Sequence, residues 1–448
     1  IVWADVPEAF EDDVENKLPV LEEVPKLAIK SKDDKPTHVL IEGDNYHALT
    51  CLNYTHKGKV DVIYIDPPYN TGSDGFRYKD KRILDKFPDG TIVDKENPFR
   101  QSYWLSFMKK RLELAKDLLT NTGVVFISID DNEVAQLKLL CDEILGSNNF
   151  VAQLVWAAGR KNDSKLISVS HEYILCYVKS IDLYKEKKIM WRTRKEGVDA
   201  IYKAYNRFKR KHKDDFKAIE RDLKEWFSSL PNSDPAKRQS HYSCVDERGI
   251  YFPDNISWPG GGGPKYAVLH PKTKKACKVP SRGWMFASAK RMQEVIDDNR
   301  VHFGEDETKV PCIKSYLKDR EFAVPYSVLY QDGRAATKRL REILDGDLFT
   351  NPKDEDVLSN LLNFSAPKNA KVLDFFAGSG TTAHAVLKLN DIDKGTRQFI
   401  LITNNEGKIM SEVCYPRIKK IISGYGEHIG FGGSLKYYRT GFVGKHSI

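Results

Sequence analysis

The amino-acid sequence predicts an α/β fold, a doubly wound sheet with helices on both faces, interrupted by one inserted module. Short apolar runs at residues 38–41, 60–65, 124–129, 150–157 and 173–178 alternate with stretches of helical spacing at 46–54, 102–120 and 132–144. The rhythm stops between residues 179 and 331, then resumes with helices at 334–343, 354–362 and 381–388 and strands at 371–376 and 398–402. Two of the apolar runs lead into an acid, Asp66 and Asp374, each followed by a stretch rich in Pro or Gly.

Taken in order, residues 1–36 mix acids, Lys and Pro without periodicity and read as an arm lying on or extending from the core. A polar, glycine-containing loop over 70–98 separates the run 60–65 from a helix in which Trp104, Leu105, Met108, Leu112 and Leu119 recur at helical spacing. Residues 37–178 and 332–448 form two halves of one core, and 179–331 form the insertion. The insertion offers a highly charged helical region at 198–229 and the run Trp258-Pro259-Gly260-Gly261-Gly262-Gly263-Pro264, whose glycines and prolines forbid continuous helix and read as a connection between hairpins.

At 448 residues with 41% hydrophobic content the chain is long enough for a large core and one further module. No apolar run approaches the length of a bilayer span and no secretory leader is present, which together read as a cytoplasmic protein. Ile1 in place of Met reads as numbering that starts inside a longer chain. Seven scattered cysteines, none in a C-x-x-C pair, fit reduced thiols and no metal site. Between residues 185 and 238, 17 Lys and Arg face 9 Asp and Glu, an excess equal to the +8 of the whole chain. Such a local field attracts polyanions, although a solvated helix face looks the same.

The first motif, Asp66-Pro67-Pro68-Tyr69, comes directly after Asp61-Val62-Ile63-Tyr64-Ile65. Side chains at the C-terminal end of a parallel strand project into the crevice where open α/β sheets bind ligands. The Asp66 carboxylate and Pro67 carbonyl are adjacent acceptors, two prolines lock two φ angles and remove two donors, and Tyr69 adds a flat face. The bland alternative is a turn in which Asp66 caps a neighbouring amide. The second motif runs from Val372 through Asp374-Phe375-Phe376-Ala377-Gly378-Ser379-Gly380-Thr381-Thr382. Its glycines let a ligand approach the backbone, and the adjoining helix N-terminus favours an anionic group. G-x-G continued by Thr-Thr is not the G-x-G-x-x-G of a dinucleotide site, and no Lys comes after it as in a nucleotide-hydrolase loop.

The stretch Asp374–Thr382 resembles the S-adenosylmethionine-binding motif of amino-methyltransferases, and Asp66-Pro67-Pro68-Tyr69 resembles their catalytic motif. The order of catalytic motif, insertion and cofactor motif is similar to the circularly permuted β class of DNA amino-methyltransferases. This resemblance implies a Rossmann-like methyltransferase core with a mixed seven-stranded sheet and a target-recognition insertion. It implies catalysis by Asp66, Pro67, Pro68 and Tyr69, and S-adenosylmethionine contacts from Asp66, Asp374, Phe375, Ala377, Gly378, Ser379, Gly380 and Thr381. Ile41-Glu42-Gly43-Asp44-Asn45 resembles the strand end near the cofactor's adenine, implying a role for Asp44. Asn351-Pro352-Lys353 resembles the segment that closes over the methionine end, implying one for Lys353. Glu406, in Thr403-Asn404-Asn405-Glu406, is the candidate for the ribose. Residues 69–72, 403–406 and 415–420 are similar to the modification subunits of type III restriction systems. That similarity implies methylation of adenine N6 in double-stranded DNA and a helicase-nuclease partner; a homodimer is implied because enzymes of this class commonly pair.

An exocyclic amino group is a poor nucleophile, since its lone pair is delocalised into the ring. Acceptors at Asp66 and Pro67 would localise that pair while an extruded base stacks on Tyr69. The same geometry serves N4 of cytosine, but Asp as the first residue leans toward adenine, since the cytosine enzymes more often resemble Ser-Pro-Pro-Tyr. A catalytically silent DNA-binding module is opposed by intact motifs, and an RNA amino-methyltransferase by the permuted order. Arg207, Lys209, Arg210, Lys211 and Lys213 are the expected phosphate contacts of the insertion, with a solvated helix face as the alternative. Phe76, Tyr78 and Lys79 are candidates for the base pocket, while Trp156 and His171 read as structural.

Overall fold

The structure, a computed structural model, describes residues 17–71, 82, 86, 90–94, 97–157, 165–331 and 333–444. The chain divides into two compact units, the segment Arg192–Val324 and the chain on either side of it. The larger unit is built on one sheet comprising β1 (Lys17–Glu23), β2 (Thr37–Glu42), β3 (Val60–Ile65), β4 (Leu119–Ile129), β5 (Phe150–Ala157), β6 (His171–Val178), β7 (Val328–Tyr330), β8 (Lys371–Asp374), β9 (Gln398–Thr403) and β10 (Ser434–Gly444). Their order across the sheet is β1-β10-β2-β9-β8-β3-β4-β6-β5-β7.

The seven positions from β2 to β5 form the mixed core that the resemblance implies. β2, β9, β8, β3 and β4 run parallel, and β6 is antiparallel to both its neighbours. Strands covered on both faces need apolar residues at both parities, and β3 shows why its run is unbroken. Val62 and Tyr64 join one apolar cluster with Val124, Phe126 and Val372. Ile63 and Ile65 join the other with Val125, Ile127 and Leu373. Helices α1 (Asn45–His56) and α2 (Ser102–Leu118) cover the second face. Helices α3 (Glu355–Ser365), α4 (Thr381–Asp393) and α5 (Tyr415–Ser423) cover the first.

Three strands lie outside the expected seven. The segment read as an arm contributes β1, which pairs antiparallel with β10 from Lys17 opposite Gly444 to Glu23 opposite Tyr438. β10 in turn extends the parallel sheet beside β2. The compact insertion starts at Arg192 and ends at Val324, not at residues 179 and 331. On the first side, the helix Ile181–Glu186 stays with the core, where the Tyr184 hydroxyl donates to the Thr122 carbonyl at 3.0 Å. On the second, β7 is parallel to β5, tied by Val155 N to Ser327 O at 2.7 Å and Gln331 N to Ala157 O at 3.2 Å.

Taken by itself, the unit Arg192–Val324 begins with the short strand Thr193–Arg194, paired with Phe322–Ala323, and continues with two helices, Val198–His212 and Phe216–Ser229. The single charged helical region expected there breaks at Lys213, whose φ is 54°, and Asp215 caps the second helix by accepting from Ala218 N at 3.0 Å. Ile201, Tyr205 and Phe208 pack with Ile219, Leu223 and Phe227 over Val245 and Ile250. The unit also holds a four-stranded antiparallel sheet, ordered Val301–His302, Cys312–Tyr316, Gly249–Asp254, Cys244–Asp246. In the glycine run, Gly260, Gly261 and Gly262 have positive φ and open space about them, whereas a Cβ at Gly263 would lie 2.4 Å from that of Trp258. Among the described residues, no helix is long and apolar enough to cross a membrane.

Candidate active site

β8 and β3 are parallel neighbours, with Val372 opposite Val62 and Leu373 opposite Ile63. β8 continues to β9 on one side, and β3 to β4 on the other, so successive crossovers step in opposite directions across the sheet from this point while the strands stay parallel. Open α/β sheets form their ligand crevice at such a point. Asp66 and Asp374 both line the cleft found there.

The loop after β8 is held from beneath. Asp374 is buried and accepts from Thr382 Oγ1 at 2.5 Å and from Phe376 N at 3.0 Å, tying the strand end to the start of α4. Burial pushes its carboxyl up to about 7. Gly378 and Gly380 have φ of 49° and 77°, which suits glycine. Among the described residues, a Cβ at Gly378 would meet the Phe349 ring and Phe376 carbonyl, both at 3.8 Å, and would otherwise fill the space beside the loop. Arg417, 1% exposed on α5, donates to Ser379 Oγ at 3.1 Å and Thr381 Oγ1 at 2.9 Å. The guanidinium lies 3.6 Å from buried Glu355, which also pairs with Arg339.

At the other strand tip, Trp104 Nε1 donates to the Pro68 carbonyl at 2.7 Å and pins the proline pair. The Tyr69 hydroxyl lies 2.7 Å from Asp66 Oδ1 and 2.8 Å from Glu172 Oε2, sharing one proton between them, and accepts from Lys353 Nζ at 2.7 Å. Lys353 also pairs with Glu172 and lies 3.4 Å from Asp66 Oδ1. Burial raises the Asp66 carboxyl above its ordinary value, opposed by Lys353 and reinforced by Glu172. Beyond Tyr69, Asn70 is buried with φ of 59° and donates to Glu133 Oε1 at 2.7 Å. Burial pushes Glu133 up to about 7.

The far end of the cleft is set by α1. Asp44 caps it, accepting from Tyr46 N at 2.8 Å, and Asn45 Nδ2 donates to the Phe375 carbonyl at 2.9 Å. Arg111, 1% exposed, reaches Asp44 Oδ2 at 3.4 Å with its guanidinium 3.8 Å from the centre of the Phe107 ring. Phe107, Phe376, Thr403, Asn404 and Glu406 complete this end.

The sequence-derived residues therefore divide. Asp44, Asp66, Pro68, Lys353, Asp374, Phe375, Ala377, Gly378, Ser379 and Thr381 line one cleft. Gly380 lies behind it, near Cys414 and Ile418. Lys353, assigned by resemblance to the methionine end, places its ammonium on the Tyr69 cluster. Trp156, read as structural, is buried with its ring centre 5.6 Å from that ammonium. Phe76, Tyr78 and Lys79 lie outside the described residues. Glu172, Arg111 and Glu133 were not anticipated; for Glu172 the one available signal was an acid at the second position of the otherwise apolar strand β6. In the insertion, Arg207, Lys209, Arg210, Lys211 and Lys213 are all exposed, and Lys211 pairs with Asp222 at 2.9 Å.

Most of the chain is similar in sequence to known proteins. The chain is 36% identical over 387 residues to the type III restriction-modification enzyme EcoP15I Mod subunit of Escherichia coli, covering 82% of this chain and 58% of that protein. It is 35% identical over 392 residues to the StyLTI Mod subunit of Salmonella typhimurium, covering 83% and 53% respectively. It is 28% identical over 394 residues to the type II methyltransferase M.KpnI of Klebsiella pneumoniae, covering 85% and 84%. The chain thus spans between 53% and 58% of the length of these two Mod subunits. The sequence model of the DNA methylase family matches residues 60–409, which contain both strand tips and everything between them, and the chain belongs to that family.

Proposed function

We propose that this chain is an S-adenosylmethionine-dependent DNA methyltransferase that acts on N6 of adenine in duplex DNA after base extrusion. It serves as the modification subunit of a type III restriction-modification enzyme, alongside a helicase-nuclease subunit and a second copy of itself. The observation that carries this reading is that Asp66 and Asp374, at the tips of neighbouring parallel strands, line one cleft. Its likeness to two Mod subunits supports the restriction-modification setting, and Asp as the first residue of Asp66-Pro67-Pro68-Tyr69 favours adenine.

The cleft fits the cofactor. The space a Cβ at Gly378 would fill lets a ligand approach the 377–381 backbone, while Phe107 and Phe376 offer apolar walls near Asp44 and Glu406. Asp44, Phe375, Ala377, Gly378, Ser379 and Thr381 would hold it, and when bound it supplies a methyl group on a sulfonium leaving group. The protein's own part is positioning. Among the described residues, the Tyr69 and Lys353 contacts of Asp66 both fall on Oδ1, so Oδ2 is the oxygen available to an amino N–H of the base. Accepting there localises the nitrogen lone pair, and a pinned Pro67-Pro68 turn keeps the acceptors in place without reorganisation. The unit Arg192–Val324 is the target-recognition domain, with the exposed cluster around Lys209 neutralising phosphates.

Single-molecule sequencing of DNA modified by the purified chain tests the reading. The expected result is methylated adenine within one short recurring sequence. Unmodified DNA, or methylation confined to cytosine, contradicts it.

A further inference from the structure

An ammonium largely withdrawn from water beside two carboxylates is costly unless its partners are well arranged, and the arrangement around the half-buried Lys353 draws on three separate parts of the core. Glu172 belongs to β6, Lys353 precedes α3, and Tyr69 ends the turn after β3. Their meeting point is the Tyr69 hydroxyl, which touches Glu172, Lys353 and Asp66 at 2.7 to 2.8 Å. The Lys353 ammonium is also 4.8 Å from the centre of the Tyr69 ring and 5.6 Å from that of Trp156, so one cation faces two aromatic rings and two acids. A tyrosine meant only to offer its ring would not need its hydroxyl held by three groups. Holding it fixes the long axis of the ring, and the same contacts occupy Asp66 Oδ1, leaving Oδ2 for a donor from the base.

We propose that Lys353 and Glu172 are a positioning pair for methyl transfer, fixing the Tyr69 ring by its hydroxyl and Asp66 by Oδ1 so that ring face and acceptor oxygen are presented to the base together. The inference rests on the methyltransferase reading above. It assigns Lys353 to the base side of the cleft, not to the methionine end of the cofactor. Glu172 orients the ammonium, and the ammonium favours the Asp66 anion, the form able to accept an N–H, against the effect of burial. The charged and titratable groups facing Asp66 are Lys353, Glu172 and Tyr69, with Tyr64 and Asp374 behind them.

The test uses Lys353→Met, Glu172→Gln and Tyr69→Phe in the full chain, with equilibrium binding of S-adenosylmethionine and the pH profile of methyl transfer to duplex DNA. All three are expected to lower kcat at least about tenfold while cofactor Kd stays within about threefold. The acid limb should move up by about one pH unit in Lys353→Met, which removes the charge favouring the Asp66 anion, and down by about as much in Glu172→Gln. Tyr69→Phe leaves every charge in place and should lower kcat with little movement of the limb, which keeps the inference open to refutation where a charge variant fails to fold. A tenfold weaker cofactor Kd in Lys353→Met, or acid limbs unmoved in both charge variants, overturns the pair. Wild-type chain that binds the cofactor but methylates no base overturns the methyltransferase reading itself, and with it this inference.

Discussion

Asp66 and Asp374 stand one residue beyond and at the end of two adjacent parallel strands, yet they do different work in the same cleft. Asp374 spends both carboxylate oxygens inside the protein, on Thr382 and Phe376, whereas Asp66 has its Oδ1 held by Tyr69 and Lys353. In the function proposed above, the first shapes the loop that would receive the cofactor, and the second would face the substrate.

Asp66→Ala is therefore expected to lower methyl transfer by at least about a thousandfold, the scale of losing a preorganised transition-state contact. Cofactor affinity should change less than about threefold. Labelled-cofactor binding and initial rates on one preparation check both; retained activity would show that another group holds the amino nitrogen.

Gly378→Val should show the reverse order of effects. The φ of 49° costs a β-branched residue about 1–3 kcal/mol, but among the described residues, its chain neighbours aside, no atom lies closer than 3.8 Å to the added Cβ. The fold should survive with a modest fall in Tm, while cofactor Kd rises at least about tenfold. Calorimetry with and without S-adenosylmethionine separates the two.

Both tips were legible in the sequence because a buried parallel strand is a continuous apolar run, and its interruption is conspicuous. Asp66-Pro67-Pro68 and Gly378-Ser379-Gly380 break their runs in ways that packing alone does not ask for. Glu172 was not legible, since an acid near the start of an antiparallel strand reads as the solvent half of an alternation; its role depends on Lys353, 181 residues away. Arg417 lay in the segment 415–420 noted for its resemblance to modification subunits, but its role was not legible, since only packing of α5 against the loop after β8 buries it. β1 and β10 escaped because Pro19, Thr440 and Gly441 dilute their patterns, and each is a strand chiefly through its pairing with the sheet.

Arg417→Met should destabilise the chain by about 3 kcal/mol, because Glu355 keeps Arg339 but loses its other cation in a site 1% exposed. Adding Glu355→Gln should recover part of that loss. Urea unfolding of the single and double variants checks the coupling; additive effects would mean that the two side chains act independently.

The pH dependence of stability offers a separate check on Asp374. Its carboxyl is raised from 3.8 to about 7 on folding, so the neutral form is favoured in the folded chain. The contribution is fully present below the unfolded value and is lost as pH rises toward the folded one, at about 1.4 kcal/mol per unit. Unliganded wild-type chain should accordingly lose stability relative to Asp374→Asn as pH rises from about 4 to 7. Parallel stability curves for the two proteins across that window would contradict the shift.

In the insertion, Lys209→Ala and Arg210→Ala should each weaken duplex binding with little regard to sequence and flatten the salt dependence by about one unit of log–log slope. Lys211→Ala should do less, since its ammonium is paired with Asp222. Fluorescence anisotropy over a salt series measures the slopes, and slopes equal to wild type would assign the cluster to a solvated face.

The central claim is that a methyl donor held at the 374–381 loop reaches a base nitrogen held at Asp66. Mass analysis of nucleosides from duplex DNA incubated with the chain and methyl-labelled S-adenosylmethionine addresses it most directly. The account predicts label in N6-methyldeoxyadenosine alone; label in 5-methyldeoxycytidine, or none in any nucleoside, would contradict it.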